Sequence, residues 1–464
     1  MRGVAAPIYV PIAAFTFCAV LACVVRAGDP LPIKPAPGTG MFLMLSDIHF
    51  DPYADAESGK ELGTKLAEGC AAGVAATPRF GSDTNRFLLQ STLHQAAAVA
   101  AENHFHYDYV IVTGDFLAHG FDARYRKCVA APSQLYGKFA ADTVALVSRL
   151  IAQELPGAPV FAALGNNDSD HGDYATPSPA FLEKVGEAWS GGWEILPPTK
   201  RTAMRPSFAA GGNYVAPDPV VPKHAFVVLN SNYWSAHNAR ACTPADPDPG
   251  GQFQWLHDRL AESKGAGDTA TLVMHIPPGI NALPSTMGPP KTLWNEACTE
   301  RFVSVLAEFP GSVRQIYAGH IHRDDFRLLP DPEGNPMVAI HILPAVSPIY
   351  LDNPAFEIGW YDKSTGELRD YATQFLDLRN IAPEWATEYV FSRAYGGERP
   401  DLASLDRLAR TLRAGNPHEG LGKQYAQFYG VGVSMLMSPA NWLTYSCSQT
   451  EMTVSGFVQC QHRP

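Results

Sequence analysis

Apolar runs of four to six residues recur along the chain, and several of them end directly on a polar residue. These runs are Met41–Leu45, Tyr109–Thr113, Val160–Leu164, Thr271–Met274 and Val313–Ala318. Short apolar runs bounded by turn residues are typical of strands that are buried on both faces of a sheet. Helical stretches separate several of the runs, at Thr84–Glu102, Ser133–Gln153, Gly251–Ser263 and Glu296–Phe309. This alternation of strands and helices predicts an α/β fold.

The polar residues that follow these runs are of types that bind metal ions. They are Asp47, His49, Asp115, Asn166, His275, His320 and His322. Side chains at the carboxyl ends of neighbouring strands converge on one edge of a sheet, where α/β proteins place their sites. Carboxylate, amide and imidazole donors without thiolates suit two divalent cations, which can share a bridging carboxylate. A single Asp-x-His or Gly-Asp pair is ordinarily a turn, but the ordered set predicts a metal centre.

Composition limits the class of protein. The chain has 464 residues, of which 46% are hydrophobic, so it can bury a large core and is not a disordered protein. Its formal net charge is −11 and it contains no basic run. We therefore expect no binding to nucleic acid.

The first residues form a separate segment. Residues 4–25 are apolar, with Arg2 before them and interruptions at Pro7 and Pro11. We interpret residues 1–27 as a signal peptide cleaved near Ala27, which predicts a secreted, periplasmic or lumenal protein. An uncleaved membrane anchor and lipoprotein anchoring at Cys23 are the alternatives. No other stretch approaches the ~18 apolar residues of a membrane span, so no stable span is expected after cleavage.

Six of the eight cysteines lie beyond the predicted signal peptide. An even number of cysteines in an exported chain favours disulfides, and six cysteines allow fifteen pairings. Pairing in sequence order gives Cys70–Cys128, Cys242–Cys298 and Cys447–Cys460. No Cys-x-x-Cys spacing occurs, so a thiolate zinc site is not expected.

The character of the sequence changes near residue 376. Beyond it, Pro400–Leu412 and His418–Tyr429 have the pattern of short helices, and an aromatic tail follows. We therefore divide the chain into a signal peptide at 1–27, a catalytic domain at 28–376 and a small helical C-terminal subdomain at 377–464.

The motifs, taken in order, resemble those of calcineurin-like metallophosphoesterases, and in detail those of the acid sphingomyelinase-like phosphodiesterase branch. The segments that carry the resemblance are Gly114-Asp115-Phe116-Leu117-Ala118-His119, Gly251-Gln252-Phe253-Gln254-Trp255-Leu256, His275-Ile276-Pro277-Pro278-Gly279 and Gly319-His320-Ile321-His322-Arg323-Asp324. The resemblance covers about 41–375. It implies a four-layer α/β/β/α sandwich that carries a phosphodiesterase site.

The resemblance also implies a role for each donor. Asp47, His49 and His322 would hold one metal ion, and Asn166, His275 and His320 the other, with Asp115 as the bridge. Two Zn²⁺ ions are expected, because the donor set is rich in histidine and the chain is predicted to be exported. In this family a metal-bridging hydroxide attacks phosphorus, and the metals stabilise the charge on the phosphoryl oxygens.

One position departs from the pattern of most relatives. Their Gly-Asn-His motif has become Gly165-Asn166-Asn167 here, and an amide cannot deliver a proton to a leaving group. Either His119 takes the acid role, or the substrate has a leaving group that needs little protonation, such as a phosphoanhydride. The plain alternative for His119 is a histidine in a surface loop.

The sequence alone does not decide between classes of substrate. Residues 28–39 leave no room for the lipid-extracting domain that precedes the catalytic domain in acid sphingomyelinase. That favours soluble phosphodiesters, nucleotides or polyphosphate, while a lipid phosphoester stays an alternative. Asn232 and Tyr233 follow the apolar run 225–229 and are candidates for substrate contact. A catalytically weak metal-binding receptor or structural protein is the alternative to an enzyme.

Overall fold

The structure, a computed structural model, describes residues 36–462 apart from 68–69, 71–77, 130, 193–195, 197 and 434–435. The predicted signal peptide at 1–27, with Cys23, lies outside the described residues. The strands are β1 Thr39–Leu45, β2 Tyr109–Val112, β3 Val160–Ala162, β4 Tyr214–Pro217, β5 His224–Val228, β6 Thr269–Val273, β7 Val313–Ala318, β8 Asp325–Pro330, β9 Pro336–Ile342, β10 Ala355–Asp362, β11 Leu368–Leu376 and β12 Trp385–Val390. The helices are α1 Ala56–Glu61, α2 Arg86–Glu102, α3 Phe121–Cys128, α4 Tyr136–Glu154, α5 Pro179–Gly192, α6 Pro198–Gly211, α7 Gln252–Ala266, α8 Ala282–Ser285, α9 Glu296–Ala307, α10 Phe391–Ala394, α11 Leu402–Ala414, α12 Gly420–Tyr429, α13 Trp442–Ser448 and α14 Val454–His462.

The strands form two sheets of six strands each, in the orders β12-β11-β10-β1-β2-β3 and β4-β5-β6-β7-β9-β8. In the first sheet β1, β2 and β3 are parallel, and in the second β5, β6, β7 and β9 are parallel. The antiparallel strands lie outside these parallel groups. The five apolar runs of the sequence are β1, β2, β3, β6 and β7, all of them in the parallel groups, as expected for strands buried on both faces.

The two sheets pack face to face through aromatic side chains. Phe42 of the first sheet lies 5.8 Å from Tyr317 of the second, and Phe161 stacks on Phe226 at 4.4 Å between ring centroids. Helices α2 and α4 add their apolar residues to the core of the first sheet, and α7 and α9 to that of the second. The predicted α/β/β/α sandwich is therefore confirmed.

The helices between the strands begin close to where the sequence places them. Helix α2 starts at Arg86 rather than at residue 84, because the side chain of Asn85 accepts a hydrogen bond from the main-chain NH of Leu88 and so caps the helix. The C-terminal helices α11 and α12 match the two predicted there. Asp401 caps α11 in the same way, through the NH of Ser404.

The proposed division at residue 376 falls between two strands of one sheet. Strand β12, at Trp385–Val390, pairs with β11 and completes the first sheet. The helical part of the C-terminal segment begins at Phe391, directly after that strand. The division of the chain into domains stays a prediction, and the strand pairing shows that the segment after 376 is joined to the first sheet.

Three disulfides join the cysteine pairs expected from sequence order. They are Cys70–Cys128, Cys242–Cys298 and Cys447–Cys460. The last pair joins α13 to α14, and its cysteines pack with Ile280 and Phe457 in a small core of their own. Within the described residues, no helix combines the length and hydropathy needed to cross a membrane.

We expect peptide mapping of the unreduced protein to recover these three cross-links and no other. Each bridge closes a loop in the unfolded chain, which is worth roughly 3–5 kcal/mol for loops of about 15 to 100 residues. Native protein treated with an alkylating reagent before denaturation should carry no label on these six cysteines. Labelling of two or more of them would contradict the pairing.

Candidate metal centre

The seven predicted donors meet where five parallel strands end. Asp47 and His49 follow β1, Asp115 follows β2, Asn166 follows β3, His275 follows β6, and His320 and His322 follow β7. Five of these seven have a positive φ, between 45° and 74°, namely Asp47, His49, Asp115, His320 and His322. This backbone conformation is unfavourable for residues other than glycine, and it clusters at functional sites. The fold therefore holds these side chains in place against a local cost.

Glycines beside the donors allow the loops to approach one another. Gly114 has a φ of 105°, and an added Cβ would lie 2.6 Å from the main-chain nitrogen of Gly165. A Cβ on Gly165 would overlap the Asp115 carboxylate, and one on Gly319 would lie 2.6 Å from Asp47 Oδ2. The glycine in each Gly-Asp, Gly-Asn and Gly-His pair is thus required by close contact with a neighbouring donor loop.

Three donors form the first cluster, with Asp115 at its edge. His49 Nε2 lies 3.1 Å from His322 Nε2, and His322 Nε2 lies 3.3 Å from Asp47 Oδ1. Asp115 Oδ2 is 3.4 Å from His49 Nε2. All four side chains are buried. The donor atoms of Asp47, His49 and His322 thus lie within 3.8 Å of one another, as expected of ligands to a single cation.

The second cluster shares Asp115 with the first. His275 Nε2 lies 3.2 Å from Asp115 Oδ2 and 3.0 Å from Asn166 Oδ1. His320 Nδ1 lies 2.8 Å from the same Asn166 oxygen and 3.3 Å from His275 Nε2. One oxygen of Asp115 therefore faces donors of both clusters.

Hydrogen bonds on the far side of two rings select the tautomer that can bind metal. His49 Nδ1 donates to the carbonyl oxygen of Leu117 at 2.9 Å, and His275 Nδ1 donates to that of Thr113 at 2.9 Å. In the neutral form of each ring Nδ1 therefore keeps the proton, and the Nε2 lone pair faces the cluster. This arrangement of imidazole, carboxylate and amide oxygen donors fits two divalent cations.

The charges of the cluster shift the pKa values of its members. Burial lowers the pKa of His49, but the carboxylates of Asp115 and Asp47 outweigh it and raise that pKa to about 10. Burial also lowers the pKa of His275, but the Asp115 carboxylate outweighs this effect and raises that pKa to about 9. Burial raises the pKa of Asp115, yet the charges of His275 and His49 hold it well below its usual range. An anionic carboxylate thus attracts positive charge, and metal binding here would release protons from the imidazoles.

Residues next to Asn166 hold the Asp115 carboxylate in position. The main-chain NH of Asn167 donates to Asp115 Oδ1 at 2.8 Å, and its side-chain amide donates to Oδ2 at 3.0 Å. Asp168 accepts hydrogen bonds from the main-chain NH groups of Phe116, Leu117 and Gly165. These bonds join the loops after β2 and β3. The structure thus places the side chain of Asn167 on Asp115, and its predicted catalytic role stays a prediction.

His119 lies at the open side of the first cluster. Its ring stacks on that of His49 at 4.0 Å between centroids, and its side chain is 30% exposed. Its Nδ1 donates to Asp83 Oδ1 at 2.9 Å, and its Nε2 lies 3.3 Å from the hydroxyl of Tyr350. Burial raises the pKa of Asp83, but the bond from His119 and the charge of His49 bring it below its ordinary value. An anionic Asp83 therefore orients the His119 ring and leaves Nε2 on the side of Tyr350.

The two candidates for substrate contact lie in different surroundings. The Asn232 side chain donates to the carbonyl oxygen of Gly165 at 2.8 Å, beside the predicted donor Asn166. The Tyr233 ring lies against Gly250, and it packs on the core of the second sheet. A role in substrate binding stays a prediction for both.

Three residues that contact the site have no signal in the sequence. Asp83 holds His119, Asp173 accepts a hydrogen bond from the Asn166 amide at 2.7 Å, and Tyr350 faces both His119 and His322. None of the three stands directly at the end of an apolar run. A carboxylate beside a metal-binding amide or a histidine is a common outer partner, but only the fold brings these pairs together.

The fold and the site define a metal-dependent phosphoesterase of the α/β type. Residues 41–324 match the family described as calcineurin-like phosphoesterase, which is more than half of the 464 residues. The chain belongs to that family, as the motifs of the sequence imply. Members of the family use divalent metal ions, in agreement with the donor clusters.

Several relatives match nearly the whole chain. Acid sphingomyelinase-like phosphodiesterase 3b of Homo sapiens is 28% identical over 91% of this chain and 90% of its own length. Cyclic GMP-AMP phosphodiesterase SMPDL3A of Homo sapiens is 25% identical over 90% of this chain and 89% of its own. Sphingomyelin phosphodiesterase B of Dictyostelium discoideum is 24% identical over 93% of this chain and 67% of its own. With the family, these matches identify the chain as a phosphodiesterase, a hydrolase of phosphoric esters.

Proposed function

We propose that this chain is an exported two-metal phosphodiesterase that acts on small soluble phosphodiesters, nucleotide diesters among them. The observation that carries the proposal is the position of Asp115. Its Oδ2 lies 3.4 Å from His49 and 3.2 Å from His275, one histidine in each cluster. A carboxylate placed in this way neutralises charge between two cations that lie roughly 3.5–4 Å apart. We propose Zn²⁺ for both sites because the donors are mostly imidazole.

The residues of this chain divide the work of the reaction. The bound cations would supply Lewis-acid chemistry, both to activate the attacking water and to stabilise phosphoryl charge. The tautomers of His49 and His275 keep donor lone pairs directed inwards, so the site needs little rearrangement. We assign to His119 Nε2 the transfer of a proton to the leaving oxygen, because Asp83 holds the ring from its other side.

The substrate class rests on the rim and on the relatives. The rim carries His119 and the 49%-exposed Tyr350, which offer an imidazole and a phenol. One relative is named for hydrolysis of a cyclic dinucleotide and others for sphingomyelin. We favour the soluble diester, because this chain covers 89% of the relative named for the cyclic dinucleotide but only 67% of the sphingomyelin phosphodiesterase.

Export is supported by the cysteines. Three disulfides among the described residues are typical of a protein that matures in an oxidising compartment, outside the cell or in a lumen. We propose that the mature chain begins near residue 28, after removal of the predicted signal peptide.

Hydrolysis of bis-p-nitrophenyl phosphate tests the two-metal phosphodiesterase. We expect release of nitrophenolate, loss of that activity after dialysis against a chelator, and its recovery on addition of Zn²⁺, because the metal donors are all in place. Elemental analysis of the same samples should track activity. Protein that holds two metal ions per chain and hydrolyses no ester would contradict the proposal and favour the metal-binding receptor.

A substrate panel separates the candidates within the class. It compares linear and cyclic nucleotide diesters, sphingomyelin in micelles, nucleoside triphosphates and polyphosphate. We expect the highest kcat/KM for the nucleotide diesters. Asn167 favours polyphosphate as the second candidate, because its amide contacts Asp115 and supplies no acid for a strongly basic leaving group. A higher kcat/KM for polyphosphate than for every diester would therefore contradict the soluble diester and identify polyphosphate as the substrate class.

A further inference from the structure

The amide of Asn166 can bind a cation in only one of its two orientations. Its Oδ1 lies among the second-cluster donors, 3.0 Å from His275 Nε2 and 2.8 Å from His320 Nδ1. Rotation of the amide by half a turn would present its NH2 group, which has no lone pair to offer a metal. Something outside the cluster must therefore hold the NH2 group away from it.

Asp173 provides that contact. Its Oδ1 accepts a hydrogen bond from Asn166 Nδ2 at 2.7 Å, which is short for a bond between an amide and a carboxylate. A carboxylate only accepts, so it admits the NH2 end of the amide and rejects the oxygen end. The main chain supports the pairing, since the NH of Tyr174 donates to the carbonyl oxygen of Asn166 at 2.9 Å.

The next residue in the chain, Tyr174, lies against His320, a histidine of the same second cluster. The hydroxyl of Tyr174 is 3.5 Å from His320 Nε2, the nitrogen that faces away from the cluster. The Tyr174 ring is itself stacked on His237 at 3.9 Å between centroids. Tyr174 also has a positive φ of 57°, so its backbone is held in an unfavourable conformation at this contact.

We infer that Asp173 and Tyr174 are positioning residues for the second metal ion, with Asp173 fixing the oxygen of Asn166 towards it. This inference rests on the proposed two-metal centre. The outer contacts of the first cluster come from elsewhere: His49 Nδ1 bonds to the carbonyl oxygen of Leu117. Loss of the pair should therefore weaken one metal site and spare the other.

The test is a chelator titration of the full-length metal-loaded protein, followed by elemental analysis. In Asp173→Asn the new amide can donate as well as accept, so the Asn166 amide is free to rotate. Because loss of an outer partner costs about 10–100-fold in metal affinity, one of the two metal ions should be lost at about 10–100-fold lower chelator than in the wild type. The other ion should be lost at its wild-type concentration.

Two further variants serve as controls. Tyr174→Phe removes only the hydroxyl near His320, and we expect a smaller shift in the same direction. His171→Ala changes an exposed residue of the same loop that contacts Asp170 and Thr176 and neither metal donor, so its titration should match the wild type. Thermal unfolding in the presence of chelator reports whether any variant has lost its fold.

The outcomes are distinct. Selective loss of one ion in Asp173→Asn, with metal-free stability unchanged, supports the inference. Two ions lost at wild-type concentrations in Asp173→Asn overturn it and leave the two-metal centre intact. Wild-type protein that binds fewer than two ions overturns the two-metal centre, and the inference with it.

Discussion

The variant Asp115→Asn should lose more than about a hundredfold in kcat/KM and should bind less metal. Changing an outer partner of a metal ligand already costs about 10–100-fold. Asp115 is a donor to both clusters, and an amide in its place removes the negative charge between two cations. Neutralising that charge also removes the largest single charge that raises the pKa of His49 and His275, so the donor network itself is altered.

Rate and metal content are measured on the same preparation for this variant. Asp122→Asn, at an exposed position in α3, is the matched control and should behave like the wild type in both. Thermal unfolding checks that Asp115→Asn retains its fold. Asp115→Asn protein with wild-type activity, or fully active wild type with less than one metal ion per chain, would show that Asp115 does not bridge two ions.

The donors of the site could be predicted from the sequence because each follows an apolar run. A strand buried on both faces must be almost wholly apolar, so the first polar residues after it stand out, as Asp115 does after β2 and His275 after β6. Parallel strands end on one side of the sheet, so donors far apart in sequence were expected to meet. Both inferences needed only the pattern of the strands.

The residues that orient the donors were not readable in that way. Asp83 and Asp173 lie in loops and act through a single contact each, with His119 and Asn166. A loop aspartate that caps a turn or a helix has the same local sequence, as Asp170 does when it accepts from the NH of Ser178. Their function comes from tertiary contacts alone, which one sequence does not specify.

The antiparallel strands were missed for a related reason. Strand β11, Leu368–Leu376, contains Arg369, Asp370 and Gln374 among its apolar residues, so it lacks the continuous run that marks the parallel strands. Its polar residues are satisfied by partners elsewhere, as when Asp370 accepts from the NH of Ser392. Because these strands were not predicted, the domain boundary proposed near residue 376 falls between two strands of one sheet.

The variant His119→Ala should lose about 10²–10⁴-fold on alkyl phosphodiesters and much less on nitrophenyl esters. General acid catalysis is worth that much, and most when the leaving oxygen is strongly basic. His119 is the exposed imidazole of the site, with Nδ1 bonded to the buried Asp83 and Nε2 towards the rim. Asn167 adds no acid, because its amide donates to Asp115.

A leaving-group series on the wild type and on His119→Ala measures this dependence. The slope of log kcat/KM against leaving-group pKa should steepen in the variant, and Asp83→Asn should give a smaller change in the same direction because the ring is less well oriented. His106→Ala, with a side chain that is 89% exposed, is the control and should leave the slope unchanged. Asn167→His should partly restore alkyl ester hydrolysis to His119→Ala if the pocket admits a second imidazole. Equal losses across the whole series would remove His119 from the acid role and leave it a contact for the phosphate.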